Sequence, residues 1–221
     1  MKSGVMMKRL ACSLGAAALL SGALTACVPL VVGGAMAGGS LVAIDRRTSG
    51  AQLEDEGIEL RAVSRMRSNI GDRIHVNLTS YNRQVLLTGE VPTAQDKQQV
   101  EQLVLGVENV ISVVNELAVM SHSSLSQRSN DTFVTGRVKA MLLDAQDLQS
   151  NAFKVVTERG TTYLMGRVTQ READRATSVV RATPGVQKVI RVFEVISEQE
   201  LARLVPPARP QPASVKPAAS Y

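Results

Sequence analysis

The fold is decided by the stretch Val85-Leu86-Leu87-Thr88-Gly89-Glu90-Val91, because the same pattern returns 77 residues later as Thr162-Tyr163-Leu164-Met165-Gly166-Arg167-Val168. Two further segments repeat at nearly the same shift. Residues 106–111 align with residues 185–190, and an upstream set aligns at a shift of 76: Asp55, Ile58, Ala62 and Met66 with Asp131, Val134, Val138 and Leu142. Two copies of this size predict tandem domains rather than a solenoid.

Within each copy the hydrophobic period changes in the same order. Helical spacing comes first and is followed by the alternation of a strand. A two-residue turn, Asn82-Arg83 or Arg159-Gly160, then joins that strand to a second one, which predicts a hairpin. The apolar positions of the first helix and strand are Ile58, Ala62, Met66, Val76 and Leu78 in one copy, and Val134, Val138, Met141, Leu142, Phe153 and Val155 in the other.

A second helix and a last strand complete each unit. Residues 95–105 and 171–182 have helical patterns, and residues 110–114 and 189–193 are β-branched strands. The sequence therefore predicts an α+β fold of two tandem α-β-β-α-β domains, in which two helices cover one face of a small mixed sheet. We place the domains at residues 46–120 and 129–197, separated by a linker at residues 121–128. The Pro- and Ala-rich residues 198–221 are expected to form a disordered tail.

The amino-terminal segment carries an export signal. Lys2, Lys8 and Arg9 precede an apolar run from Leu10 to Ala23, which is too short for a typical membrane-spanning helix and fits a secretory signal. The run ends in Leu24-Thr25-Ala26-Cys27, which resembles the bacterial lipobox. That resemblance implies that residues 1–26 are removed and that Cys27 carries a diacylglycerol and an acylated amino group.

The residues after Cys27 are predicted to be a flexible tether. Residues 27–45 are apolar and contain Gly33, Gly34, Gly38 and Gly39, which weaken any helix. A second spanning helix is the alternative interpretation, and for Cys27 the alternative is an unmodified thiol. Val28 stands where an Asp typically retains lipoproteins in the inner membrane, so the lipobox resemblance implies transport to the outer membrane.

The overall charge argues against nucleic acid as the main partner. The chain has 25 Lys and Arg against 20 Asp and Glu, and removal of residues 1–26 leaves a net charge of only +2. Proteins that bind nucleic acid usually show concentrated basic charge. A hydrophobic fraction of 44% also excludes a wholly disordered chain.

The sequence shows no pattern typical of an enzyme, a metal site or a cofactor site. His75 and His122, the only two histidines, have no His, Cys or carboxylate at a metal-ligand spacing, so we expect ordinary surface residues. The cluster Glu54-Asp55-Glu56 falls at a predicted helix start, where carboxylates stabilise exposed N–H groups. Neither a phosphate-binding loop nor a nucleophile elbow occurs. We therefore predict a non-enzymatic protein without cofactor or small-molecule substrate.

The order of elements, with the hairpin strand ending in Gly-x-Val and a Gly-Val before the last strand, resembles the BON domain. The resemblance covers about residues 46–196 in two copies, and together with the lipobox it resembles the dual-BON outer-membrane lipoproteins. Ser129-Asn130-Asp131-Thr132 and Tyr163-Leu164-Met165-Gly166 are particularly similar to that family. The resemblance implies binding of anionic phospholipid through the second domain, gathering at division sites and support of outer-membrane integrity.

We expect the lipid site on a helix that opens at Asn130 and Asp131. At about 100° per residue, Phe133 falls outside the core stripe, next to Arg137 and with Lys139 on the solvent side. An apolar ring beside cations is typical of interfacial helices. In the first copy Gly57 stands in place of Phe133, which predicts functional asymmetry. The predicted phospholipid-binding residues are Asp131, Thr132, Phe133, Arg137 and Lys139.

Two alternatives stay open at this point. Phe133 alone could serve to staple the helix start against a neighbouring loop. The whole protein could instead be a structural interaction protein that recruits an envelope assembly or secretion machine, with outer-membrane assembly proteins as partners. The anionic phospholipid membrane is the partner that the resemblance favours.

Replacing Cys27 tests the anchor. Cys27→Ala should leave an unprocessed precursor or release the protein into the soluble fraction, because several acyl chains anchor a protein stably where one alone is marginal. Mass spectrometry of the membrane-bound mature protein should find Cys27 modified, and an unmodified Cys27 there contradicts the prediction. Cys12→Ala, within the apolar run, is the matched control and should change neither processing nor localisation.

Overall fold

The computed structural model describes residues 45–204. The predicted signal, Cys27, the tether up to residue 44 and residues 205–221 of the predicted tail lie outside the described residues. The described residues all belong to one compact unit.

Two α+β domains follow one another along the chain, as the repeat predicts. The first contains α1 (Ser49–Asn69), β1 (His75–Tyr81), β2 (Gln84–Val91), α2 (Ala94–Leu105), β3 (Ser112–Asn115) and β4 (Ala118–Val119). The second contains α3 (Leu125–Asp144), β5 (Lys154–Glu158), β6 (Thr161–Val168), α4 (Gln170–Arg181) and β7 (Lys188–Val195), and is followed by α5 (Glu198–Leu204). The predicted α-β-β-α-β order is confirmed in both copies.

The two repeated stretches form the central strands of two small mixed sheets. β2 pairs antiparallel with β1 and parallel with β3 and β4. β6 pairs antiparallel with β5 and parallel with β7. Each hairpin closes through the predicted two-residue turn, in which both residues have positive φ, as a type I′ turn requires.

One face of each sheet packs against the two helices of its own domain. The clusters contain the helical positions that the sequence predicts together with alternate residues of the strands. In the first domain the fully buried members are Ile58, Ala62, Val85, Leu87, Val91, Val100 and Val104. In the second they include Val138, Ala152, Leu164, Val168, Ala176 and Val180.

The opposite faces of the two sheets pack against each other. A third cluster joins Tyr81 and Leu86 of the first domain to Tyr163, Met165 and Val192 of the second. Both faces of each sheet are thus covered, and the two domains share one layer of core. Polar contacts surround this layer, for example from Lys154 Nζ to Glu59 Oε1 at 2.9 Å.

One buried aspartate in each domain holds the hairpin turn onto the first helix. Asp55 accepts hydrogen bonds from the backbone N–H groups of Asn82 and Arg83, both at 2.8 Å. Asp131 accepts from those of Arg159 and Gly160 at 2.8 and 3.0 Å. The same contact at the same position of the repeat shows that these carboxylates are structural.

The acidic cluster at residues 54–56 does not lie at a helix start, contrary to the prediction. α1 begins at Ser49, and the Thr48 hydroxyl accepts from the Ala51 N–H as the N-cap. Asp55 is therefore in the second turn, where it serves the hairpin instead of the exposed N–H groups of the helix.

Three further expectations need correction. α3 begins at Leu125 instead of Asn130, because the Ser124 hydroxyl caps it by accepting from the Gln127 N–H; part of the predicted linker is thus helical. Met141 is 38% exposed, since it lies at the edge of the core stripe of α3. Residues 198–204 of the predicted disordered tail form α5, which is tied to β6 by the Arg167–Glu200 ion pair at 2.7 Å.

Two arginines at the start of the described chain reach different domains. The buried Arg46 guanidinium makes a bidentate ion pair with Glu172 of α4, at 2.7 and 2.8 Å. The neighbouring Arg47 binds Asp55 at 2.7 Å and lies over the Tyr81 ring of the first domain. The segment just before α1 is therefore attached to both domains.

Asp55 should make the free energy of unfolding depend on pH under acidic conditions. Burial alone raises the pKa of Asp55, but hydrogen bonds from Ser80, Arg83, Arg47 and Asn82 together lower it below its ordinary value. A lowered folded-state pKa contributes stability above about pH 4, and that stability is lost as the pH falls through the folded pKa. Asp55→Asn should cost about 1–3 kcal/mol at pH 7.

The measurement is urea denaturation at neutral and at acidic pH. The difference in the free energy of unfolding between wild type and Asp55→Asn should shrink as the pH falls below about 4, because the wild-type carboxylate then also loses its charge. Glu56→Gln, at an exposed carboxylate one residue away, should leave the free energy of unfolding nearly unchanged at both pH values. If Asp55→Asn lowers the free energy of unfolding by the same amount at every pH, the charge of Asp55 does not stabilise the fold as predicted.

Candidate functional site

The outer face of α3 exposes apolar side chains. Its inner face buries Asp131, Val134, Val138 and Leu142. On the opposite side of the helix Phe133 is 61% exposed, and Leu125 and Leu143 are even more exposed. Large apolar residues on a solvent-facing helix surface are a candidate interaction site.

The exposed apolar face runs along the whole helix. Leu125 and Leu143 lie five helical turns apart, about 27 Å, and therefore point in the same direction. Apart from Phe133, the residues between them on this face are small: Ser129, Gly136 and Ala140 are all exposed. We call Leu125, Ser129, Phe133, Gly136, Ala140 and Leu143 the outer face of α3. None of the helices within residues 45–204 is both long and apolar enough to cross a membrane.

Two cations flank this face on opposite sides. The Arg137 guanidinium lies 4.6 Å from the centroid of the Phe133 ring, and its Nη1 donates to the Pro184 carbonyl at 2.7 Å. Lys139 is exposed on the other flank and lines a groove of about 560 Å³. The groove is also lined by the apolar side chains of Leu142, Leu143 and Phe153, and by Asp45.

The structure separates the five predicted site residues into two groups. Phe133, Arg137 and Lys139 lie at or beside the outer face, as expected. Thr132 is exposed, but its hydroxyl donates to the Arg128 carbonyl within the helix at 3.0 Å. Asp131 is buried and bonded to the hairpin turn, so its carboxylate is not available at the surface.

The first domain gives an internal comparison, because it repeats the arginine without the aromatic ring. Arg61, the counterpart of Arg137, also donates to a loop carbonyl 47 residues further on, that of Glu108 at 3.3 Å. A Cβ at Gly57 would lie 2.9 Å from the Arg61 Nη1 atom. The arginine contact is therefore part of the shared scaffold, and Phe133 is particular to the second domain.

The outer face of α1 differs from that of α3 in its charge. Leu53 and Leu60 are exposed there, but Glu56 is exposed as well, and Glu54 and Glu59 are partly exposed. Over its whole length α1 carries four acidic and three basic residues, whereas α3 carries two acidic and three basic residues. Only the helix of the second domain combines an exposed aromatic ring with cationic flanks.

Sequence reasoning missed Leu125 and Leu143 as part of the site. Their separation of 18 residues, a whole number of turns, is the signal that could have found them. It was lost because the helix was expected to open at Asn130, which left Leu125 in a linker. The N-cap residue Ser124 is only a weak signal in the sequence for the start of a helix. The start of α3 there also depends on the packing of the whole helix.

Comparison with known proteins gives the family. The model of the BON domain matches residues 54–121 and 130–197. Over 192 residues the chain is 38% identical to the outer membrane lipoprotein DolP of Haemophilus influenzae, with 86% of this chain and 97% of that protein covered. The chain belongs to the dual-BON outer-membrane lipoproteins. It is a lipid-anchored protein of the outer membrane that faces the periplasm and has a role in the cell envelope.

Two other relatives are similar to large parts of the chain. The chain is 31% identical over 155 residues to the 21 kDa hemolysin of Actinobacillus pleuropneumoniae, covering 69% of this chain and 80% of that protein. It is 32% identical over 117 residues to the osmotically-inducible protein Y of Escherichia coli, covering 52% and 58%. The resemblance to the dual-BON lipoproteins that the sequence motifs indicate is thereby confirmed.

Proposed function

We propose that this lipoprotein binds the surface of anionic phospholipid membranes through the outer face of α3, without catalysis. The observation that carries the proposal is the exposed Phe133 ring between Arg137 and Lys139, on a face that is otherwise small or apolar. Helices that lie in the membrane interface have an apolar face flanked by basic residues. The first domain lacks this combination, so the second domain is the membrane-binding one.

The expected energies agree with a reversible contact. Burial of one large apolar side chain contributes about 1.5–3 kcal/mol. Each Lys or Arg near an anionic surface adds about 1 kcal/mol. Such a contact is weak for a free protein, but a lipid anchor raises the effective concentration of the domain at the membrane. The 19 residues from Cys27 to Asp45 can extend at most about 60 Å, which keeps the domain within reach of the bilayer.

The cellular role that we propose follows from the family resemblance. A protein anchored at one point and bound through a helix at another would support envelope integrity, with division sites as the place of action. Outer-membrane assembly proteins are the partners expected if the same face binds protein instead of lipid. The structure disfavours the simpler interpretation of Phe133 as a staple of the helix start, because α3 begins eight residues before it.

Deleting a domain is a poor test of which domain binds. The two sheets share the cluster of Tyr81, Leu86, Tyr163, Met165 and Val192, so that removal of either domain exposes apolar surface on the other. Exposed apolar surface binds membranes and aggregates without specificity. Point variants on the outer faces of α1 and α3 leave this cluster intact and are the sharper test.

Phe133→Glu should abolish binding of residues 43–221 to phosphatidylglycerol vesicles, with an affinity loss of more than tenfold. A carboxylate in place of the ring loses the apolar contribution and adds repulsion from the anionic surface. Co-sedimentation with vesicles measures the binding, and circular dichroism with thermal melting confirms that the fold is retained. The matched control is Leu60→Glu, because Leu60 is 73% exposed on α1 and should contribute nothing.

The control distinguishes the candidate functions. If Phe133→Glu binds vesicles as well as wild type, the outer face of α3 is not the lipid site. The same follows if Leu60→Glu loses as much vesicle affinity as Phe133→Glu. Absence of vesicle binding by the wild-type fragment would favour the structural interaction protein that recruits an envelope machine.

Neutralising the flanking cations should weaken binding and reduce its dependence on salt. Lys139→Gln and Arg137→Gln should each lower the affinity for anionic vesicles about fivefold at low ionic strength, which corresponds to about 1 kcal/mol each. At high ionic strength the differences should nearly vanish, because salt screens exposed charges. Arg61→Gln removes the equivalent scaffold contact in the first domain and should leave vesicle binding unchanged; a similar loss there would contradict the assignment.

A further inference from the structure

His75 meets two glutamates where the two domains join. His75 on β1 and Glu90 on β2 are directly opposite each other in the antiparallel pair. Glu158, the last residue of β5, approaches them from the second domain. The ligand atoms of His75, Glu90 and Glu158 all lie within 4.8 Å of one another, and both carboxylates are buried. The sequence predicts no metal site, because these residues have no local spacing in common.

We propose that His75, Glu90 and Glu158 bind a divalent transition-metal ion such as Zn²⁺. One imidazole nitrogen and two carboxylate oxygens are a donor set that Zn²⁺ accepts. The His75 Nδ1 and Glu90 Oε2 atoms are 2.8 Å apart. Adjacent ligands with bonds of about 2.0–2.2 Å to one ion lie about 3 Å apart. The ion would bind both atoms in place of the contact between them, and a small rotation of Glu158 would complete the set.

The two buried carboxylates of the site outnumber the one guanidinium that contacts them. Glu90 has a partner of opposite charge, since Arg159 Nη1 lies 3.3 Å from its Oε1 atom. The Glu158 side chain instead accepts a hydrogen bond from the neutral amide of Asn77, at 2.7 Å. No Lys or Arg among residues 45–204 forms an ion pair with Glu158. A buried carboxylate of this kind is costly, and a bound metal ion removes that cost.

The surroundings provide access and further support. A cavity of about 370 Å³, lined by His75, Asn77 and Glu158 among others, opens on the cluster, so that an ion and its water ligands have room to enter. The Ser123 hydroxyl donates to Glu90 Oε2 at 3.3 Å and helps to orient the carboxylate. The His122 ring lies 6.3 Å from the His75 ring and offers a further nitrogen donor after a side-chain rotation.

Metal binding here would join the two domains. His75 and Glu90 belong to the first domain and Glu158 to the second, so that the complete donor set exists only while the sheets are packed together. A ligand that binds only the assembled state stabilises it by mass action. This site lies apart from the outer face of α3, and its role does not depend on the proposed membrane binding.

Titration calorimetry of the full chain with ZnCl₂ tests the proposal. The chain is purified in detergent, with Cys12 and Cys27 replaced by Ser so that no thiol competes, and is freed of metal by a chelator. We expect one Zn²⁺ per chain. Zn²⁺ should also raise the melting temperature, whereas Mg²⁺, which prefers oxygen ligands, should not.

Single conservative variants assign the ligands. Glu158→Gln and His75→Gln should each weaken Zn²⁺ binding at least about tenfold, since loss of an outer-shell group alone costs about that much. Glu194→Gln is the matched control, because Glu194 also accepts a hydrogen bond across the domains, from Asn82 at 2.7 Å, and is not part of the cluster. No Zn²⁺ binding by the parent chain, or equal binding by Glu158→Gln and Glu194→Gln, overturns the proposal.

Discussion

Burial of each sheet against the other is the interaction on which the rest of this structure depends. A three- or four-stranded sheet with apolar residues on both faces cannot cover both with only two helices. Here the second face of each sheet is covered by its counterpart, through Tyr81 and Leu86 on one side and Tyr163, Met165 and Val192 on the other. The two repeats therefore form a single unit, and the segment at Arg46 and Arg47 is attached to both of them.

This packing determines which surfaces remain for function. Because the sheets face inward, the helices α1 and α3 form outer surfaces of the pair. Their outer faces have diverged: α3 exposes Phe133 between cations, while α1 has Gly57 at that position and exposed carboxylates nearby. The same packing brings the polar ends of β1, β2 and β5 together, which is how His75, Glu90 and Glu158 become neighbours.

The repeat itself separates scaffold from function. Asp55 and Asp131 bond the hairpin turns in the same way, and Arg61 and Arg137 bond equivalent loop carbonyls. Contacts that occur in both domains are explained by the fold they share. A residue that differs between the two domains without a structural reason, as Phe133 does, is a better functional candidate than one that both domains share. By this criterion Asp131 is excluded from the proposed membrane-binding residues and Phe133 is retained.

The sequence by itself determined the element order, the hairpin turns, the family and the position of Phe133 outside the core, because periodicity and turn chemistry are local properties. Only the tertiary structure decided that α3 starts at Leu125, that Met141 is exposed, and that Asp131 binds the turn near residue 160. It alone also decided the contact between the sheets and the cluster of His75, Glu90 and Glu158. These features join residues far apart in the chain, and no local pattern records which distant side chains will share a buried space.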